Sequence, residues 1–194
     1  FKACGICSGS ANHVPGDGPA TADIVFIGEA PGAQEAKQGI PFVGAAGKFL
    51  NELLDHVHMK RSDVYITNVV KCRPPDNRDP LPEEVKQWWP FLERELAIIQ
   101  PKLIALLGRH AMNRFLNDLK ISEVHGKPKR LNGQVYLPLY HPAAALYKGD
   151  LRAVLKKDFE AVPSIIKTIS SLGSDSVVAE SSKDEEPLKS QTLF

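Results

Sequence analysis

An α/β fold with a mostly parallel sheet is what this sequence predicts, and two observations carry the reading. Four short apolar runs, "ADIVFIG" (22–28), "VYITNVV" (64–70), "KLIALLG" (102–108) and "QVYLPLY" (134–140), look like strands buried on both faces. Between them lie stretches with helical apolar spacing, and that alternation builds right-handed crossovers around parallel strands. A chain of 194 residues, 43% hydrophobic, suits one such domain with a substantial core.

Each element has its own signal. Gly47–His58 places Phe49, Leu50, Leu53, Leu54 and Val57 on one helical face. Residues 83–99 gather Val85, Trp88, Trp89, Leu92, Leu96 and Ile99 into a similar stripe, with Pro90 expected to distort it locally. "GRHAMNRFLND" (108–118) and "DLRAVLKKDFEAV" (150–162) supply two further helices. The Ser- and acid-rich "SLGSDSVVAESSKDEEPLKSQTLF" (171–194) has no periodic apolar face and reads as a disordered tail after a domain spanning 1–170. From Gly173 on, two lysines stand against five acids, so the rest of the chain carries the basic excess behind a net charge of +1. That excess permits nucleic-acid binding without demanding it. No run approaches the roughly 18 apolar residues of a membrane span. Three cysteines cannot all pair, and two form "CGIC", which favours a metal or redox role in an intracellular, cytoplasmic protein over a disulfide framework.

In parallel sheets ligands bind beyond the carboxyl ends of the strands. The first strand runs into "GEAPGAQEAKQGIPFVG" (28–44), a glycine-rich loop with two carboxylates, Glu29 and Glu35, and one aromatic ring, Phe42. It lacks the Gly-Lys-Ser/Thr of a phosphate loop. The second strand ends at Asn68, whose amide offers a donor and an acceptor. The fourth ends in "YHPAAAL" (140–146), where His141 precedes Pro142. The third ends in "LLGRHA" (106–111), read as a helix entry without chemistry. The other five histidines, His13, His56, His58, His110 and His125, have no comparable setting. Stacking by Phe42, edge reading by Asn68 and charge stabilisation by His141 suit a planar, hydrogen-bonding ligand such as a nucleobase. The plain alternatives at each place are a glycine-rich turn, a capping Asn and a structural His.

"GEAPGAQE", "GIPFVGAAGKFLN", "VYITNVVKCRPPDNR", "HPAAAL" and "CGIC" occur in the order found in family 4 uracil-DNA glycosylases, the iron–sulfur branch of the uracil-DNA glycosylase superfamily, and the sequence resembles that family over roughly residues 4–165. The resemblance implies a three-layer sandwich around a central four-stranded, mostly parallel sheet, and hydrolysis of the N-glycosidic bond of deoxyuridine in DNA, single- or double-stranded, by a monomer. The uracil would be flipped out of the stack. Gly28, Glu29 and Ala30 would line its pocket, Phe42 stack on it, Asn68 read its N3/O4 edge and His141 stabilise charge growing at O2. Glu29 or Glu35 would position water or stabilise the cationic sugar; Ala30 stands where some other branches of the superfamily have an aspartate. "KPKR" (127–130) and Arg152 would meet phosphates.

The same resemblance implies a 4Fe-4S cluster on Cys4, Cys7, Cys72 and a fourth cysteine sixteen residues after Cys72. That position holds Trp88. A non-cysteine ligand such as Asp76 or Asp79, a labile cluster, or Trp88 as filler all remain open. The terminal "SQTLF", with Gln191, Leu193 and Phe194, resembles sliding-clamp docking peptides. The competing functional readings are a non-catalytic nucleic-acid- or nucleotide-binding module of the same fold and a cluster-based redox protein. Retention of Glu29, Asn68 and His141 favours the enzyme.

Overall fold

The structure is a computed structural model that describes residues 13–117 and 119–175, with side chains through Ser171. Cys4, Cys7, Gln191, Leu193 and Phe194 lie outside the described residues.

The chain runs β1 (Ile24–Gly28), α1 (Ala33–Gln38), α2 (Ala45–His56), β2 (Tyr65–Asn68), α3 (Pro82–Ile99), β3 (Leu103–Leu107), α4 (Arg109–Phe115), α5 (Ile121–Val124), β4 (Lys129–Leu131), β5 (Gln134–Leu139), α6 (Ala144–Tyr147), α7 (Asp150–Glu160) and α8 (Val162–Asp175). The strands form one sheet in the order β2-β1-β3-β5-β4. The first four are parallel, and β4 is antiparallel to β5. The sheet thus has five strands where the sequence predicts four. "KPKR" leads into this edge strand, which Asn132 and Gly133, both at positive φ, turn into β5. Asn-Gly is a strong two-residue hairpin signal, and it is the cue that marks the missed strand.

Alternation along the strands sends residues to two cores. Ile24 and Phe26 join Leu103, Ala105, Val135 and Leu137 against Phe49, Leu50 and Leu53 of α2 and Leu155 and Phe159 of α7. Val25 and Ile27 join Ile104 and Leu106 against Val85, Trp88 and Leu92 of α3 and Met112 of α4. Period two, with both sets buried, is what a sheet covered on both faces requires. The expected apolar faces are the buried ones. Helix α3 continues through Pro90, where a distortion is expected from sequence, as one element of 18 residues. Helix α8 runs to Asp175, five residues past the boundary placed at 170. Among the described residues no helix is long and apolar enough to cross a membrane.

Parallel pairing has one consequence for function. Gly28 pairs with Asn68, Ile27 with Leu106, and Leu107 with Leu139. Four strand ends therefore lie abreast, and the loops leaving them meet on one edge of the sheet.

Candidate active site

A cavity of about 650 Å³ opens at that edge. Its lining includes Glu29, Ala30, Glu35, Phe42, Asn68 and His141, so every pocket residue expected from sequence except Gly28 is on its wall. Gly28 lies directly behind. A Cβ there would sit 2.5 Å from Asn68 Oδ1 and 2.7 Å from Phe42 Cζ, so any side chain would displace both groups.

Phe42 is held unusually firmly. It is 5% exposed and adopts φ of 53°, the left-handed region a bulky residue rarely enters. Arg61 Nη1 donates to Phe42 O at 3.1 Å and Nη2 to Pro41 O at 2.5 Å. Gly47 lies so close that a Cβ there would stand 1.8 Å from Phe42 O. Glu35 completes the loop. Its Oε1 accepts from Val43 N at 3.0 Å and Gly44 N at 2.8 Å, at the start of α2. Both Arg61 and Gly47 escape a sequence reading, because each acts on a backbone carbonyl.

Asn68 is fixed from behind. Buried Lys71 donates to the Asn68 carbonyl at 2.8 Å, to Thr67 Oγ1 at 2.6 Å and to Glu95 Oε2 at 2.7 Å. Burial pushes the lysine pKa down and Glu95 opposes that. The Asn68 side chain takes no part. Its Oδ1 is fully buried and has no hydrogen-bond partner, the one such side-chain atom found among the described residues. A buried acceptor left open carries a penalty of roughly 1–3 kcal/mol, which marks a place awaiting a donor.

His141 faces the same space, its ring centroid 5.7 Å from that of Phe42. Ala143 N donates to His141 Nδ1 at 3.1 Å. With Nδ1 accepting, the neutral ring carries its hydrogen on Nε2. Burial is the main reason its pKa falls from 6.5 to about 4; Glu35 pushes it back up and His110 adds to the fall. The imidazole is therefore an uncharged donor at neutral pH.

Glu29 is half-buried, and burial raises its pKa; His110 lowers it, Asp79 raises it, and Arg114 and Arg109 lower it. This neighbourhood is absent from the sequence reading, which gave "LLGRHA" no chemistry. Arg109 and His110 line the cavity from the first residues of α4, and Asn77, Arg78 and Asp79 line it from the loop after β2.

The metal-ligand positions divide. Cys72 and Trp88 lie in one apolar cluster with Val69, Val70, Val85 and Leu92, at 1% and 2% exposure. Trp88 meets the rings of His13 at 5.8 Å and Phe91 at 5.3 Å. Asp79, one of the alternative fourth ligands, instead faces His110 at 3.6 Å at the cavity. Arg152, expected on phosphates, bonds Glu52 at 2.7 Å and lies over the Phe49 ring at 4.1 Å.

A family model described as uracil DNA glycosylase superfamily matches residues 15–162. The chain is 44% identical over 174 residues to a type-4 uracil-DNA glycosylase of Archaeoglobus fulgidus, covering 83% of this chain and 85% of that protein. It is 43% identical over 170 residues to a type-4 uracil-DNA glycosylase of Thermotoga maritima, covering 85% and 88%. A DNA polymerase of Bacillus phage SP01 is 29% identical over 153 residues, which are 17% of its length.

Proposed function

Because the chain belongs to the uracil-DNA glycosylase superfamily, we propose that the cavity receives a uracil flipped from DNA and that the protein hydrolyses its N-glycosidic bond. The observation that carries this reading is the open Asn68 Oδ1. Uracil supplies a matching edge: N3–H donates to Oδ1 while the amide NH₂ donates to O4. Phe42 covers the ring face, and Gly28 keeps the floor clear.

In the reaction the C1′–N1 bond breaks, its electron pair moves onto uracil, and C1′ becomes oxocarbenium-like. Negative charge gathers at N1 and O2. His141 Nε2–H donates to O2, and a neutral donor pre-oriented by Ala143 N stabilises that charge without reorganising. Water adds to C1′, and the proton it releases neutralises the departing uracil anion, leaving free uracil and an abasic site. Half-buried Glu29 would lie on the sugar side and, as a carboxylate, stabilise its positive charge. Glu35 is spent on the Val43 and Gly44 amides, so its role is to hold the Phe42 loop rather than to act on water. After His141, Leu146 and Tyr147 stand 42% and 89% exposed, with Tyr147 on the cavity wall, and these large side chains would fill the gap left in the duplex.

The family resemblance makes an iron–sulfur cluster the expected cofactor, and the type-4 naming of the relatives is consistent with it. Cys4, Cys7 and, once its disulfide is reduced, Cys72 would supply three thiolates, and the fourth position is an indole packed among apolar neighbours. These donors do not complete a four-thiolate set, and no step of the reaction runs through a cluster. The terminal Gln191, Leu193 and Phe194 fit a sliding-clamp peptide, and nothing in the mechanism requires more than a monomer.

The test is a uracil-containing oligonucleotide incubated with the protein and then treated with alkali. Cleavage at uracil, and none in a matched thymine strand, is expected. Binding without cleavage by folded protein would replace the enzyme with a non-catalytic module.

A further inference from the structure

We propose that His110, held by Arg109, is a positioning residue that orients Glu29; the proposal rests on the reading of Glu29 given above. Strands β1 and β3 are adjacent and parallel, so the residue after β1 meets the first turn of α4 after β3. His110 Nδ1 stands 3.4 Å from Glu29 Oε1. Arg109 Nε donates to His110 Nε2 at 3.1 Å. A ring accepting at Nε2 carries its hydrogen on Nδ1, the nitrogen turned toward the carboxylate. The order is therefore Arg109 to His110 to Glu29, a fixed donor aimed at one carboxylate oxygen. At 3.4 Å the contact is long, as such contacts often are before substrate closes the site.

The hydrogen-bond donor of the neutral His110 ring and the nearby guanidinium charges act on Glu29 in the same direction. From α4 come His110, Arg109 and Arg114, all favouring the carboxylate; from the loop after β2 comes Asp79, opposing it. Arg78 of that loop is occupied by Glu84 at 2.6 and 2.8 Å. Burial pushes the Glu29 carboxyl up, and His110 is the largest influence in the other direction.

The experiment compares single-turnover uracil excision by wild type, His110→Leu, His110→Asn, Glu29→Gln and the Glu29→Gln/His110→Leu double variant across about pH 5 to 9. His110→Leu is expected to lower the rate about 10- to 100-fold, the worth of one hydrogen bond to a charged group, with DNA affinity nearly unchanged. Its acid limb should move to higher pH, because Glu29 loses the group that most lowers its pKa. The Asn amide nitrogen takes the place of Nδ1, so His110→Asn should recover most of the rate. In the Glu29→Gln background the leucine should cost less than about twofold more. Wild-type rate and acid limb in His110→Leu, an asparagine variant as slow as the leucine one, or losses that multiply in the double variant would each overturn the proposal. Should His110→Leu not fold, Arg109→Met carries the test, with the same upward shift of the acid limb expected and an unshifted limb overturning it. Failure of the underlying reading is separate: it appears as no excision by wild type, or as full activity in Glu29→Gln.

Discussion

Two corners of the molecule handle their polar and sulfur-bearing groups in opposite ways. At the strand ends, Asn68 Oδ1 is buried without a partner, the half-buried His141 has its pKa pushed down to about 4, and burial pushes the Glu29 carboxyl up. On the α3 side of the sheet, Cys72 and Trp88 are enclosed by valine and leucine side chains. The first corner pays in stability for groups that are satisfied only when a base arrives. The second is packed for stability. The difference teaches that the chemistry and the cysteine corner can change separately: the indole at position 88 alters the donor set for a cluster and is not among the residues that line the cavity.

Breaking the packed corner should have the largest effect. Trp88→Ala removes one of the largest fully buried side chains, and an expected loss of about 3–5 kcal/mol follows from the cavity left behind. Denaturant unfolding measures it. Excision per folded molecule should hardly change, and a rate loss matching the stability loss would show that the corners are coupled.

Breaking the open corner should do the reverse. His141→Ala should lower the excision rate about 10²–10³-fold while leaving uracil-DNA affinity nearly intact, because the lost donor acts on charge that develops only in the transition state. Chemical shifts of the His141 ring should stay flat from neutral pH down toward 5, as a pKa of about 4 requires. A titration near 6.5 would mean a solvated ring.

Much of the open corner was legible. Asn68, Phe42 and His141 follow a strand or a glycine-rich loop, and the parallel-sheet rule brings such ends together. His110 was not legible, since its meaning comes from the adjacency of β1 and β3 and from the loop that carries Asp79. Glu35 read as a catalytic candidate because a sequence displays a carboxylate but not the two amides it caps. The fifth strand was missed because "KRL" has no apolar alternation, although Asn132-Gly133 announced its turn. The Trp88 substitution was visible by counting from Cys72, but its burial among apolar neighbours was not.

A smaller effect sharpens the comparison from the pocket side. Gly47→Ala would drive a methyl into Phe42 O, for an expected loss of about 1–3 kcal/mol. Its signature is weaker binding of uracil-containing DNA as Phe42 moves; unchanged binding would mean that the loop relaxes freely. The last change is read in metal content rather than in stability: Trp88→Cys, which leaves a cavity close to that of Trp88→Ala, combined with iron analysis under anaerobic purification. Iron per chain should rise above wild type, as a fourth thiolate completes the set. Equal iron in both proteins would show that position 88 has no bearing on metal retention.

The central claim is that Asn68 reads the base. Uracil presents a donor at N3 and an acceptor at O4, whereas cytosine presents an acceptor and a donor. Asn68→Asp replaces the amide donor with a second acceptor, and mismatched buried partners discriminate by orders of magnitude. The direct measurement is strand cleavage of matched uracil- and cytosine-containing single strands by wild type and Asn68→Asp. Loss of most uracil excision, with a relative gain toward cytosine at a low absolute rate, is the expected result. Uracil excision at the wild-type rate by Asn68→Asp would contradict the account.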